Sequence, residues 1–404
     1  MSSPSSELNK LKRELARKNL ERLAQFEPPK APVDGPGSGD NHCNIALDVL
    51  LDWSKRNSKS ITKSISQQAF LNKRDLDYAV AFLPFMESTA VYLRDLGKHQ
   101  KAWKLFHDAV NNHEDGSDLK EHAIDTYLSA FEKIEELANS WNMDFIPICD
   151  LIHKSPKGSS HLDGPYCGVF VTTKAQENAP FIGLAFKGTN PSNLREDLVD
   201  YNYQLYTQST YLGGNPVSFG VFTGLFGDFG LPDKTPYAAI LEAVDRTAEI
   251  IPGAQPRTHV TGHSLGGSYS SFAYAQLLSD FPKLPSPFFT MGDEYNFGAP
   301  RVGSQDWAKY NNLLMSEGHG ISYRIVNDQD IVPQVPPTDL KKDQLDFYHI
   351  DQGYRIYKNK APTTIPTEVG GQPPQPYPIP SGNVKDLITA VMESIYHCES
   401  LELT

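Results

Sequence analysis

The stretch THVTGHSLGGSY, residues 258–269, places Ser264 between Gly262 and Gly266, directly after a β-leaning apolar stub and before a helix-forming run. A serine in a tight strand-to-helix turn can attack a carbonyl carbon: the turn pushes its hydroxyl into the open, and the helix start offers unpaired N–H groups to an anion. Crowding explains the flanking glycines, because side chains there would collide with the neighbouring strand and helix. The Leu265 N–H then points to where an oxyanion would form. Such a motif is short enough to occur by chance, and its place after a strand and before a helix gives it weight.

A serine hydroxyl is a poor nucleophile at neutral pH and needs a base held by a carboxylate. In the α/β-hydrolase arrangement these follow in the order serine, acid, histidine. The acid falls in YRIVNDQDIVPQVPP, where Asp328 and Asp330 compete; the apolar IVP after Asp330 would help bury it and favours it. Of twelve histidines, His319, His349 and His397 follow Ser264 at a useful distance, and His319 precedes the acid. His349 lies in DFYHIDQGYRIYK, which reads as a hairpin edge. His397 follows NVKDLITAVMESIY, where Val384, Leu387, Ile388, Val391 and Ile395 make one apolar helical face. The residues alone leave these two open.

The elements that must position these groups are legible around them. CGVFVTT and FIGLAFKGT read as strands, PYAAILEAVDRTAEII as an amphipathic helix, RTHVTG as a strand, and the run after Ser264 as a helix to Leu278. YNFGAP and SYRIVND supply two further strands around the helical SQDWAKYNNLLM. Alternation at this spacing predicts a mainly parallel sheet covered on both faces, with its chemistry at the C-terminal strand ends. Tyr201, Tyr203, Tyr206 and Tyr211 either line a groove for an acyl chain or pack the core.

Upstream, apolar residues recur at three and four from about Asn44 to Trp141, as in Ala102, Leu105, Phe106 and Val110, so this region reads as several helices without a catalytic constellation of its own. Residues 7–25 carry Leu8, Leu11, Leu15, Leu20 and Leu23 among Lys and Arg. That helix either lies on an anionic membrane or is solvated or docked on a partner; Glu7, Glu14 and Glu21 dilute its charge and favour the solvated or docked state. EPPKAPVDGPGSGD reads as a linker. The expected organisation is a basic helix and linker over 1–39, a helical region over 40–140, and a catalytic domain over 141–404.

With 39% hydrophobic and 21% charged residues, the 404-residue chain can bury a core, which excludes whole-chain disorder. A net charge of −12 argues against a nucleic-acid partner. Four cysteines, Cys43, Cys149, Cys167 and Cys398, show no CxxC spacing and suggest neither a zinc site nor a disulfide framework, although a Cys43–Cys398 link is compatible with the sequence. No secretory signal pattern, long apolar span or N-glycosylation acceptor occurs. These features favour a reducing, cytoplasmic setting.

In this order and spacing, FIGLAFKGT, SNLREDLVD, HVTGHSLGGSYSSFAY, YNFGAPRVGSQDWAKY, YRIVNDQDIVPQVPP and YHIDQGYRIY resemble the class 3 lipase family of fungal triacylglycerol lipases. The resemblance covers roughly residues 165–400. It implies an α/β-hydrolase fold, a mainly parallel central sheet flanked by helices, here with an N-terminal helical region added. It also implies hydrolysis of lipid carboxylic esters such as acylglycerols without a cofactor, with transient contact to a membrane or lipid-droplet surface. By position Ser264 matches the nucleophile, Asp330 the acid and His397 the base, His349 matching a non-catalytic hairpin histidine. Thr189 matches the residue whose amide joins that of Leu265 in the oxyanion hole. The chain departs from the pattern at Lys187, where FRG is usual, at Leu194, often Trp, and at Ser218, where VHxGF has histidine. Rival expectations are a catalytically weak lipase-like scaffold, a phospholipase A1 or a soluble-ester esterase.

Overall fold

The computed structural model describes residues 4–28, 51–59, 76–111, 117–151, 166–172, 180–188, 205–227, 235–328, 330, 332–336, 346–350, 352–357 and 360–369. Its centre is an eight-stranded sheet: β1 (Met143–Asp150), β2 (Tyr166–Thr172), β3 (Phe181–Phe186), β6 (Arg257–His263), β7 (Thr290–Phe297), β8 (Ser322–Asn327), β9 (Gly353–Ile356) and β10 (Thr363–Ile365), in that spatial order. The pairings from β3 through β9 are parallel, and both ends are antiparallel. A separate two-stranded ribbon joins β4 (Leu205–Tyr206) to β5 (Val217–Ser218). With β6 central, the sheet presents the turn at Ser264 at the C-terminal end of its parallel block. The mainly parallel α/β-hydrolase expectation is met by this order.

Helices cover both faces, and β3 (FIGLAF) is apolar throughout. In β3, Ile182, Leu184 and Phe186 face one core and Phe181 and Ala185 the other, the two-residue period of a strand buried on both sides. The first face is covered by α6 (Phe219–Phe226), α7 (Pro236–Ile250), α8 (Leu265–Asp280) and α9 (Gln305–Leu314). Thr235 caps α7 with its hydroxyl on the Ala238 N–H and Pro236 opens the helix, while Ser304 caps α9 through the Trp307 N–H.

The second face is covered by the N-terminal helices α2 (Tyr78–Ala90), α3 (Leu96–Asn111), α4 (Ser117–Ser129) and α5 (Glu132–Ser140). Leu83, Trp103, Phe131 and Ile134 share one core there with Phe145, Phe170, Tyr295 and Tyr323 of the strands. In this part the helical region and the sheet form one packed unit.

The α1 helix (Pro4–Leu23) closes the β1 edge. Leu8, Leu11 and Leu15 enter the first core and Leu20 and Leu23 the second. Between them, Asn19 Nδ2 donates to the Ile148 carbonyl at 3.0 Å and its Oδ1 accepts from the Asp150 N–H at 3.1 Å. One amide thus satisfies backbone groups that an edge strand would leave open. Arg13 and Arg17 pair with Glu121 and Asp125, and Arg246 grips Glu14 with two bonds. The leucine stripe is docked, as its diluted charge favoured, and its partner is the chain's own sheet.

Two expectations change locally. MDFIPICD, not read as a strand in the sequence, forms β1. His349 does not lie in a hairpin strand; it precedes β9, which pairs in parallel with β8 and turns into β10.

Candidate active site

Ser264 adopts φ 55 and ψ −127, a left-handed conformation that costs a non-glycine residue on the order of 1–3 kcal/mol. Its amide donates to the Phe297 carbonyl at 2.9 Å, and its own carbonyl accepts from the Gly267 N–H at 2.9 Å. The glycines are there for the steric reason expected. A Cβ on Gly262 would strike the Gly266 carbonyl oxygen, and one on Gly266 would strike the Phe186 carbonyl at the end of β3. The hydroxyl is less open than expected: Ser264 keeps 6% exposure, because the chain after β3 lies against the turn. A side chain on Gly188 would come within 2.7 Å of the His263 carbonyl and 2.9 Å of the Gly266 amide.

This approach puts Gly188, at the end of the described segment after β3, beside the start of α8. Lys187, at 1% exposure, donates from Nζ to the Gly188 carbonyl at 3.0 Å. Thr189 and Leu194 lie outside the described residues.

Asp330 follows β8. Its amide donates to the Asn327 carbonyl at 2.7 Å, and its Oδ1 accepts from the Val332 N–H at 3.0 Å. Its carboxylate rests against Gly298, at φ 60, where a Cβ would lie 2.7 Å from Oδ2. The His263 Nε2 is 3.8 Å from that same point. The missing side chain at Gly298 therefore makes room for the acid. Desolvation pushes the Asp330 carboxyl up to about 6, against the Val332 N–H and the Arg355 charge, which favour ionisation. The competing Asp328 is held by its backbone: its amide donates to Ile356 and its carbonyl accepts from Arg355.

His349 is committed elsewhere. Its Nε2 meets the Pro333 carbonyl at 2.5 Å, so this nitrogen carries the proton, and its amide donates to Glu368 at 2.7 Å. Glu368 is held in turn by Arg301 through Nε and Nη2. Burial and the nearby Arg324 keep the His349 imidazole neutral, well below its usual range. His397 lies outside the described residues, as do Cys43, Cys398, Tyr201 and Tyr203.

Two side chains at the site carried no sequence signal. Tyr92, in the short turn after α2, places its hydroxyl 3.3 Å from both Nδ1 and the carbonyl of His263. Burial lowers His263 to about 4, so it is neutral at pH 7. More broadly, β6 turns His259, Thr261 and His263 toward the helical layer at a two-residue period. His259 meets Glu87 at 2.5 Å, Thr261 donates to the Pro84 carbonyl at 3.0 Å, and His263 meets Tyr92. The strand that leads to Ser264 is thereby keyed along its length to α2 and the turn after it. Ser218 is fully buried, and its hydroxyl finds no hydrogen-bond partner among the described residues. Tyr211 stacks on Phe226 at 4.4 Å, while Tyr206 packs on Phe219 and Phe222 at the surface. Among the described residues, no cluster of His, Cys, Asp or Glu could hold a metal, and no helix is long and apolar enough to cross a membrane.

Comparison with known proteins places these features in a family. The pattern described as lipase (class 3) matches residues 183–340, from β3 through the loop beyond Asp330. The triacylglycerol lipase OBL1 of Arabidopsis thaliana is 23% identical over 222 residues, 49% of this chain and 41% of that protein. A lipase of Rhizomucor miehei is 36% identical over 107 residues, 26% of each chain. The matched stretches span less than half the length of either relative. Lipase II from Rhizopus niveus aligns in structure over 70% of this chain and 82% of its own, at 20% identity and a TM-score of 0.41. Over the segment that carries Ser264 and Asp330, less than half of its length, the chain is similar to the class 3 lipase family.

Proposed function

We propose that the protein hydrolyses carboxylic esters of lipids, acylglycerols among them, through Ser264, His397 and Asp330. The observation that carries this reading is the strained turn at Ser264, set at the end of the central parallel strand and tied through Phe297 and Gly298 to the Asp330 carboxylate. A non-glycine residue is held in such a conformation when the surrounding structure over-determines it, as at active sites. The lipase names of the relatives support the substrate class.

In the proposed reaction His397 takes the Ser264 proton as the oxygen attacks the ester carbonyl. Asp330 orients the imidazole, and the amides of Leu265 and Thr189 stabilise the oxyanion. The imidazolium then protonates the departing alcohol, and water releases the fatty acid by the same steps. His349 is set aside as base because its Nε2 is spent on the Pro333 carbonyl. Contact with a membrane or droplet surface would involve parts other than the leucine stripe of α1, which is buried in the chain's own core.

The test is turnover of emulsified acylglycerol and of a soluble p-nitrophenyl ester by the intact chain and by S264A. Hydrolysis by the first and none by the folded second supports the reading. Equal turnover by both removes it.

A further inference from the structure

We propose that Tyr92 is a positioning residue of the Ser264 turn, and that the N-terminal helical layer which supplies it is thereby part of the catalytic apparatus. The inference rests on the reading of Ser264 as nucleophile.

The backbone conformation of Ser264 is the relation between two rigid peptide planes, one on each side of its Cα. The plane after it is held where the Ser264 carbonyl accepts from the Gly267 N–H at 2.9 Å. The plane before it is held on both edges. Its N–H, that of Ser264, donates to the Phe297 carbonyl at 2.9 Å, and its C=O, that of His263, accepts from the Tyr92 hydroxyl at 3.3 Å. The other holds run from backbone to backbone; this one is made by a side chain. A serine at φ 55 stays there only where its surroundings over-determine the backbone, so a plane fixed at both edges bears directly on where the nucleophile points.

His263 completes the arrangement. With its proton on Nδ1, the neutral imidazole donates to the Tyr92 oxygen, 3.3 Å away, and leaves the hydroxyl proton for the His263 carbonyl. Tyr92 is itself well placed. It lies in the turn Val91–Leu93 after α2, where the Val91 carbonyl accepts from the Tyr166 hydroxyl of β2 at 2.6 Å. Two residues after Tyr92, Arg94 lies over the Tyr166 ring at 4.0 Å and pairs with the buried Asp150 at 2.5 Å. Gly188 makes room on the other side, since a Cβ there would come within 2.5 Å of the Tyr92 hydroxyl and 2.7 Å of the His263 carbonyl. Residue 92 stands outside the stretch 183–340 that matches the lipase pattern, so the turn takes this hold from a part of the chain that the pattern does not cover.

The test measures kcat and KM for a soluble p-nitrophenyl ester, the rate of fluorophosphonate labelling at Ser264, and Tm, in wild type, Y92F and Y237F. Y92F deletes the hydroxyl and keeps the ring. The net worth of one hydrogen bond corresponds to about 2- to 12-fold in an equilibrium, and kcat should fall by that much, with KM within about twofold. Labelling should slow by the same factor as kcat. Y237F deletes a hydroxyl of the same kind, bonded to Asp280 at 3.0 Å at the other end of α8, and should keep wild-type kcat and labelling. Should Y92F fail to fold, Y92M, which fills much of the space without a hydroxyl, carries the same expectations. A folded Y92F or Y92M with wild-type kcat and labelling overturns the proposal, as does a loss that Y237F shares or one that appears in KM instead of kcat. A wild-type chain that neither turns over esters nor takes the label would remove the nucleophile reading, and this inference with it.

Discussion

The Ser264 amide donates to the Phe297 carbonyl at 2.9 Å, and the next residue, Gly298, is the one against which the Asp330 carboxylate lies. The Ser264 turn and the Asp330 carboxylate are therefore fixed to consecutive residues at the end of β7. A displacement of that strand end would move both together, which preserves their separation.

The strain at Ser264 separates activity from stability. S264A should lose ester turnover while keeping the wild-type Tm, because alanine meets the same backbone cost at φ 55. S264G relieves it, and should be at least as stable as S264A, by up to about 2 kcal/mol after the greater entropy of unfolded glycine is deducted. Chemical denaturation of the three chains checks this, and a less stable S264G would show that the turn is unstrained.

Asp330 should carry a stability cost that depends on pH. Its carboxyl is raised to about 6, above the value near 4 of an unfolded chain. Between these values the folded state holds the extra proton, so this group's contribution rises as pH falls from about 6 to about 4 and is unfavourable above that window. His263, lowered to about 4, acts in the opposite sense over nearly the same range, so the wild-type profile partly conceals both. The difference between D330N and wild type isolates the acid. D330N should be more stable at pH 7 by at most about 3 kcal/mol, and the gain should vanish by pH 4. Its kcat should fall by about 1,000-fold or more. A D330N less stable than wild type at pH 7 would contradict the assignment.

Gly266→Ala tests the close approach of the turn to β3. The added methyl would meet the Phe186 carbonyl and the Gly188 amide, so the segment after β3 must move. A loss of about 3 kcal/mol is expected, with a drop in kcat beyond what the remaining folded fraction explains. A Tm and kcat both near wild type would mean that the turn and β3 are farther apart.

Much of this architecture was legible because its strands are short runs carrying β-branched or aromatic residues between turn signals. RTHVTG, YNFGAP and SYRIVND announced β6, β7 and β8, and their order set the positions of Ser264 and Asp330. β1 escaped because Pro147 interrupts MDFIPICD; an edge strand tolerates it, with a register shift between Pro147 and Cys149. Tyr92 escaped for a different reason. It stands 171 residues before His263, in a helix-rich stretch where an aromatic reads as ordinary core. Lys187 was visible only as a departure from FRG, and its partner, a backbone carbonyl, leaves no trace in residue types. Between His349 and His397 the residues alone left the choice open and the resemblance favoured His397; the Pro333 contact of His349, which no local pattern encodes, is a further argument against His349.

Glu87 and His259 link the helical layer to the nucleophile strand, both fully buried and 2.5 Å apart. Glu87→Ala removes the carboxylate that meets His259 Nε2 beneath Ser264 and should destabilise the chain by about 3–5 kcal/mol. Glu87→Gln keeps a group able to hydrogen-bond His259 Nε2 and should cost far less. Thermal melts of the two variants decide this, and equal losses would show that only the volume at position 87 matters.

The most direct test of the central claim is stoichiometric labelling with a fluorophosphonate, located by mass spectrometry of the digested chain. The account predicts one label per chain on Ser264, formed at a normal rate in folded H349A, slowed by about 1,000-fold in H397A and absent in S264A. A folded chain that takes no label, takes it at another residue, or loses labelling in H349A but not in H397A would contradict it.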